Sequence, residues 1–183
     1  MIKIDTPAGY IQLFNTHLGA GKGPAHHAQR TAQLRELQTY ISCFSRRYPS
    51  LLLGDLNFNP HMNEYSIMQQ WIDDTFNDAG IDTYSHLNPG HNGYTFYTDR
   101  SFKRLKDKHD LDERIDYIFV LRSKENRCWI EPIHSTIALD EPNDPLSDHC
   151  AVYTTFEITR KKTLAEILPI MHAENEKIYL SGS

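Results

Sequence analysis

Two short segments, far apart in the chain, carry residue types that can do chemistry together: Gly54-Asp55-Leu56-Asn57 and Ser147-Asp148-His149. Leu51-Leu52-Leu53 before the first is an apolar run suited to a buried strand, and Gly54 allows a sharp turn at its end, so that Asp55 and Asn57 project from the strand's carboxyl edge. Ligands of open α/β sheets usually bind at that edge. A carboxylate and an amide two residues apart are hard oxygen donors, matched to magnesium or manganese rather than zinc. Asp148 adds another hard donor, and His149 adds a titratable imidazole at the start of an alternating stretch running to Ile158. Hydrolysis of a phosphodiester needs charge neutralisation, a positioned water and a proton route, and these residue types supply parts of all three. Taken singly, Gly-Asp reads as a turn closed by an Asx hydrogen bond and Asp-His as surface chemistry.

Two further segments join them. In Arg114-Ile115-Asp116-Tyr117-Ile118-Phe119-Val120, strand alternation puts Ile115, Tyr117 and Phe119 on one face and Asp116 on the other with Ile118 and Val120. An acid among apolar strand residues needs a partner. His149 would serve, since a carboxylate fixes the tautomer of an imidazole and stabilises its protonated form. Arg114 would serve as well, in a purely structural salt bridge. Phe14-Asn15-Thr16-His17-Leu18 closes an alternating stretch from Tyr10. Alone, His17 reads as a core histidine.

In this order, Asn15-Thr16-His17-Leu18, Gly54-Asp55-Leu56-Asn57, Arg114-Ile115-Asp116-Tyr117 and Ser147-Asp148-His149 resemble the endonuclease/exonuclease/phosphatase superfamily, whose members include deoxyribonuclease I, abasic-site endonucleases, inositol polyphosphate phosphatases and neutral sphingomyelinases. The resemblance covers roughly residues 10 to 158. Arg30-Thr31-Ala32-Gln33-Leu34-Arg35-Glu36-Leu37, together with Asn63-Glu64-Tyr65 and Met68, is most similar to the neutral sphingomyelinases. It implies Mg2+ or Mn2+ as cofactor and Asp55, Asn57, Asp148 and His149 as the metal site. It further implies Asn57 and His17 on the scissile phosphate, and His149 as general base or transition-state stabiliser oriented by Asp116. His17 would also assist the leaving group. Either Asp55 or His149 would take the proton from the attacking water. The implied function is a phosphocholine-releasing phosphodiester hydrolase acting on a lipid headgroup. A nuclease or phosphatase of the same superfamily, and a non-catalytic remnant or binding module, are the alternatives. The superfamily's earlier segment, with an Asn near its first strand and a metal-binding Glu, has no counterpart here, because Glu36 and Glu64 fall on expected helices. The chain is therefore expected to hold the later part of the domain, with one magnesium ligand to be supplied.

The elements that must position these residues can be read from periodicity. Ile2 to Ile4 and Tyr10 to Leu18 flank Thr6-Pro7-Ala8-Gly9, a hairpin signal. Leu34, Leu37, Ile41 and Phe44 lie on one face of a helix expected from His27 to Ser45. A strand over Leu51 to Leu53, a helix from Asn63 to Ile72, and strands near Tyr94 to Tyr97, Arg114 to Leu121, Cys128 to Ile133 and His149 to Ile158 follow. The class is α/β (α+β), the four-layer DNase I-like sandwich with its N-terminal part missing, one of the two sheets with its covering helices being present. Such a half exposes an apolar face and predicts poor solubility or a partner. The domain is expected over residues 1–159 and a tail over 160–183, where Leu164, Ile167, Leu168 and Met171 form a stripe. That stripe either packs on the domain or lies at a lipid surface as a peripheral membrane contact.

The chain has 183 residues, enough for one core, and 39% hydrophobic with 23% charged residues is ordinary globular composition. A net charge of -5 argues against a generic polyanion binder but permits local basic patches, such as Arg100-Ser101-Phe102-Lys103-Arg104-Leu105-Lys106-Asp107-Lys108. That stretch reads as a solvated loop or as an anion contact. Cys43, Cys128 and Cys150 have no Cys-x-x-Cys spacing, so a reducing compartment is the simpler reading. Met1 to Asp5 does not open a signal peptide and no run is apolar enough to cross a bilayer, leaving the cytoplasm as the default.

Overall fold

A computed structural model describes residues 1–44, 47–76, 80–97, 112–141 and 146–161. The chain opens with a hairpin, β1 (Ile2–Thr6) and β2 (Gly9–His17). Thr6 Oγ1 closes its turn by donating to the Gly9 carbonyl at 2.6 Å and accepting from Ala8 N. Helix α1 (Pro24–Phe44) crosses over to β3 (Ser50–Asp55), which pairs parallel with β2. It begins three residues before the expected His27, because Pro24 has the backbone angle a first helical turn needs and Gly23 O accepts from His27 N. Helix α2 (Asn63–Phe76) outlasts the expected Ile72 by one turn, since Phe76 is also buried.

The short β4 (Ile81–Asp82) and α3 (Thr83–Leu87), absent from the sequence reading, lead towards β5 (Asp116–Leu121). The first sheet has the order β1-β2-β3-β5-β4, and a second sheet pairs β6 (Cys128–Ala138) with β7 (Ala151–Arg160). β6 runs beyond the expected Ile133 because a bulge between Pro132 and His134 absorbs a register shift and lets pairing continue. Tyr94 to Tyr97 is not a strand. Phe96 forms only isolated bridges, one to Glu113 and one to His149.

Alternation along the central strands sorts their side chains onto two buried faces. Phe14, Leu52, Tyr117, Phe119 and Leu121 pack against Leu34 and Ile41 of α1 and Met68 and Ile72 of α2. Phe44, expected on the core face of α1, is 40% exposed at the helix end. On the opposite face Ile11, Leu51 and Val120 pack against Cys128 and Ile130 of β6, with Phe156 and Ile158 of β7 alongside. The described architecture thus has three layers: helices, the five-stranded sheet and the β6–β7 pair. This corrects the expectation of a single sheet with a bare inner face, because two strands of the second sheet cover it. Ile2 and Ile4, on the edge strand β1, remain exposed. The apolar stripe after Lys161 and the basic stretch from Arg100 to Lys108 lie outside the described residues.

Candidate active site at the end of the five-stranded sheet

Register alone brings three candidate residues together. His17 pairs with Asp55 across β2 and β3, and Asp55 pairs with Asp116 across β3 and β5. Cross-strand neighbours point to the same face. By parity with Leu51 and Val120, that face is the one on which β6 and β7 pack. His17, Asp55 and Asp116 therefore form a row across the sheet's end, and His149 reaches it from the residues entering β7. His149 Nδ1 lies 2.8 Å from Asp116 Oδ2, while its Nε2 is 4.0 Å from Asp55 Oδ2. His17 Nε2 is 3.3 Å from the same Asp55 oxygen. Arg114, the other candidate partner of Asp116, instead makes a bidentate pair with buried Asp82 at 3.0 and 2.8 Å.

The Gly54 expectation needs correction. The strand continues through Gly54 to Asp55, and the turn comes at Asn57, whose φ is 53°. Gly54 is required for another reason: a Cβ there would sit 1.9 Å from the Thr16 carbonyl oxygen. Asn tolerates the left-handed conformation because its short side chain bonds locally. Asp55 Oδ1 accepts from Asn57 N at 2.8 Å, and Asn57 Nδ2 donates to Leu18 O at 2.9 Å. The Asx bond and a site role coexist, since Asp55 Oδ2 and the Asn57 amide oxygen are not used by these bonds.

Electrostatics follow from the crowding. Burial raises the Asp55 carboxyl above its ordinary range, and neighbouring Asp116 adds to that, against the lowering bond from Asn57 N. The Asp116 hydrogen bond holds the His149 imidazole above its ordinary value despite partial burial. Two carboxylates directly opposite each other repel unless a cation or imidazolium lies between them. Ligand atoms of Asp55, Asp116 and His149 all lie within 4.8 Å of one another, so the donor set fits a divalent cation. Asp148 is not part of that cluster, and its Oδ1 accepts from Ser147 Oγ at 3.3 Å.

A cavity of about 370 Å3 opens here, lined by His17, Asp55, Asn57, Asp148 and His149 among others. Asp116 does not line it. It stands behind the imidazole, in the place of an orienting group.

Several contributors were missed by sequence reasoning. Thr95, fully buried, accepts from the N–H groups of Ile115 and Asp116 through Oγ1, and its carbonyl accepts from Cys150 N at 2.6 Å. It pins both sides of the Asp116–His149 pair. The Phe96 ring packs edge-on to His149, with centroids 5.3 Å apart. Glu113 lines the cavity and accepts from Asn59 Nδ2 at 2.9 Å. Buried Arg30 of α1 donates to Glu64 of α2 and to the carbonyls of Gly19 and Gly21, fixing the loop that carries Lys22 to the cavity. The sequence singles out the two segments that hold Arg30 and Glu64, but not the pairing of these residues.

No family model matches the sequence, and no curated protein matches it significantly. Solved structures do. The chain superposes on an endonuclease/exonuclease/phosphatase from Beutenbergia cavernae with 24% identity and a TM-score of 0.61, covering 86% of this chain and 38% of that one. D. rerio TDP2 complexed with single strand DNA product gives 22% identity and a TM-score of 0.64, over 85% of this chain and 59% of that one. Staphylococcus aureus beta toxin gives 19% and 0.56, over 84% and 55%. The fold is the DNase I-like α/β sandwich of these structures, and the chain spans well under two thirds of the length of each.

Proposed function

We propose that the chain carries the chemistry of a metal-dependent phosphodiester hydrolase, sphingomyelinase-like in substrate, releasing phosphocholine from a lipid headgroup. The observation that carries this reading is the row His17–Asp55–Asp116 closed by His149. A divalent cation held by Asp55 with Asn57, Asp148 or His149 would neutralise charge on the phosphoryl oxygens. His149 lines the cavity with its Nδ1 held by Asp116, so where the ion sits on Asp55 without His149, the Nε2 lone pair is left to accept a proton from the attacking water. Asp55 is less suited to that step, since one oxygen is tied to Asn57 N. His17, whose side chain is 68% exposed and lines the cavity, would donate to the departing oxygen. The choice of a lipid headgroup as substrate is supported only by the resemblance of the Arg30–Leu37 and Asn63–Met68 segments to neutral sphingomyelinases. A nuclease is the second reading, favoured by the fold shared with a TDP2 that holds single-stranded DNA. Phosphocholine release from sphingomyelin vesicles and nicking of supercoiled DNA, both in millimolar Mg2+, separate the two. The lipid reading expects phosphocholine release that disappears in His149→Ala. Nicking alone would move the assignment to a nuclease, and equal rates for parent and variant would remove His149 from the mechanism.

A further inference from the structure

Phe96 is the middle of a short row outside the two sheets. Phe96 N donates to Glu113 O at 2.9 Å and Glu113 N to Phe96 O at 3.0 Å, so the two residues are a hydrogen-bonded antiparallel pair. On the other side Cys150 N donates to Thr95 O and Tyr97 N to Asp148 O, which makes Phe96 and His149 a pair of the closer, non-hydrogen-bonded kind. Directly opposite residues point their side chains to one face, so Glu113, Phe96 and His149 stand side by side in that order. All three line the candidate active-site cavity. The two kinds of pair have Cα spacings of about 5.5 and 4.5 Å, which puts the Glu113 backbone about 10 Å from that of His149 with Phe96 between them.

The charge of Glu113 is not used by the rest of the site. Its carboxylate does not belong to the ligand cluster of Asp55, Asp116 and His149. Glu64, Asp82 and Glu131 each meet a guanidinium, of Arg30, Arg114 and Arg122 respectively, whereas among the described residues no lysine or arginine pairs with Glu113. Glu113 instead accepts from a neutral amide, Asn59 Nδ2 at 2.9 Å, and Asn59 Oδ1 is itself held by His61 N at 3.0 Å. That amide aims the carboxylate without cancelling its charge. A fixed anion beside the place where an anionic phosphodiester reacts opposes binding, unless the substrate carries a cation next to its phosphate. The neighbouring ring suits the same partner, because an alkylammonium is drawn to an aromatic face by the ring quadrupole while its carbon groups cover apolar area. Glu113 and Phe96 are both half-buried, so each still presents surface to a ligand. In a nucleic acid the neighbouring group is another phosphate, which Glu113 would repel.

We propose that Glu113 and Phe96 form an ammonium subsite of the candidate active site, selecting phosphodiesters whose headgroup carries an alkylammonium close to the phosphate, as phosphocholine does. The phosphate's place beside it rests on the hydrolase reading, so one arm of the test needs no turnover. Choline and its uncharged isostere, with a tert-butyl group in place of the trimethylammonium, are titrated into the full 183-residue chain in EDTA and followed by backbone amide resonances. Choline should bind saturably, about tenfold more tightly than the isostere. Glu113→Gln keeps an acceptor for Asn59 and removes only the charge, and it should erase that preference. Phe96→Leu should weaken choline with the carboxylate intact, and it carries the test if the Glu113 variant fails to fold. Asp55→Asn should leave the preference in place. In the second arm, with millimolar Mg2+, Glu113→Gln should lower the kcat/KM ratio of p-nitrophenyl phosphocholine to methyl p-nitrophenyl phosphate by about tenfold, through KM. A parent that binds choline no better than the isostere would overturn the subsite. So would a preference that survives both Glu113→Gln and Phe96→Leu, or one lost in Asp55→Asn, where the metal-site acids would have drawn the cation. Loss of Mg2+-dependent stabilisation in Glu113→Gln would overturn it too, by making Glu113 a metal ligand. No turnover of either ester, with choline bound as expected, would strike the hydrolase reading alone and keep the ammonium subsite.

Discussion

At the scale of single residues, the proposed chemistry turns on how Asp116 sets the state of His149. The carboxylate's hydrogen bond raises the imidazole pKa, so nuclear magnetic resonance titration of metal-free protein should find His149 above 6.5. Asp116→Asn should bring it down, and an unchanged value would sever the pair. The same shift has a stability consequence of definite sign. A folded-state pKa above the unfolded one contributes stability that is full below about 6.5 and is lost as pH rises through the folded value. The parent should therefore lose part of its advantage over Asp116→Asn between mildly acidic and neutral-to-basic pH. In turnover, Asp116→Asn should cost about 10²- to 10⁴-fold in kcat with KM nearly constant, the range of positioned proton transfer. These residues were legible in sequence because each sits in a short local motif whose types announce chemistry. Thr95 was not legible, since a lone threonine beside aromatics gives no hint that its hydroxyl accepts two backbone N–H groups from residues 20 and 21 positions away.

At the scale of elements, positions are enforced by close backbone approach and by one buried ion pair. Gly54 lies where β2 and β3 come too near for any side chain, a Cβ meeting the Thr16 carbonyl at 1.9 Å. Gly54→Ala must push β2 away from β3, displacing His17 from Asp55, and should yield a protein that either fails to fold or melts well below the parent and loses activity. Arg30 and Glu64 couple α1 to α2 at the core, with side chains 1% and 2% exposed. Burial alone would raise the Glu64 carboxyl, but bonds from His27 and Arg30 outweigh it and hold the carboxyl below its ordinary value. Its contribution is thus present above the unfolded pKa and is lost as pH falls through the folded one. Glu64→Gln should flatten the acid limb of the stability profile, and Glu64→Ala, which strands a buried guanidinium, should cost about 3–5 kcal/mol in urea unfolding. Helix and strand positions followed from apolar spacing, which is why most elements appear near their expected places. An arginine at 0% exposure defeats that method, because polarity reads it as solvent-facing and its partner lies on another helix. Short pieces such as α3, fixed by Asp82 accepting from Ser85 N, have too few residues for a period to show.

At the scale of the whole molecule, the candidate site lies between layers. The sheet supplies His17, Asp55 and Asp116, whereas His149 arrives with the β6–β7 pair, so the docking of the two sheets assembles the donor set. Any divalent ion that uses both must bind the docked form more tightly than the undocked or unfolded chain. On the proposed reading that this ion is Mg2+ or Mn2+, mass action requires it to stabilise the fold, by about 2.7 kcal/mol at a hundred times the dissociation constant. For a chain of this length that is a rise in Tm of about 5–10 °C, reversed by EDTA. Asp55→Asn removes a donor and should abolish the rise. Ile130→Ala should cost about 2–5 kcal/mol by opening the inter-sheet core, and should weaken metal binding although Ile130 is no ligand. A parent protein whose melting is indifferent to millimolar Mg2+ and Mn2+ would show that these four residues do not suffice to hold an ion. An effect confined to Asp55→Asn, with Ile130→Ala responding like the parent, would place the ion on the sheet alone and leave His149 to act on the water without it.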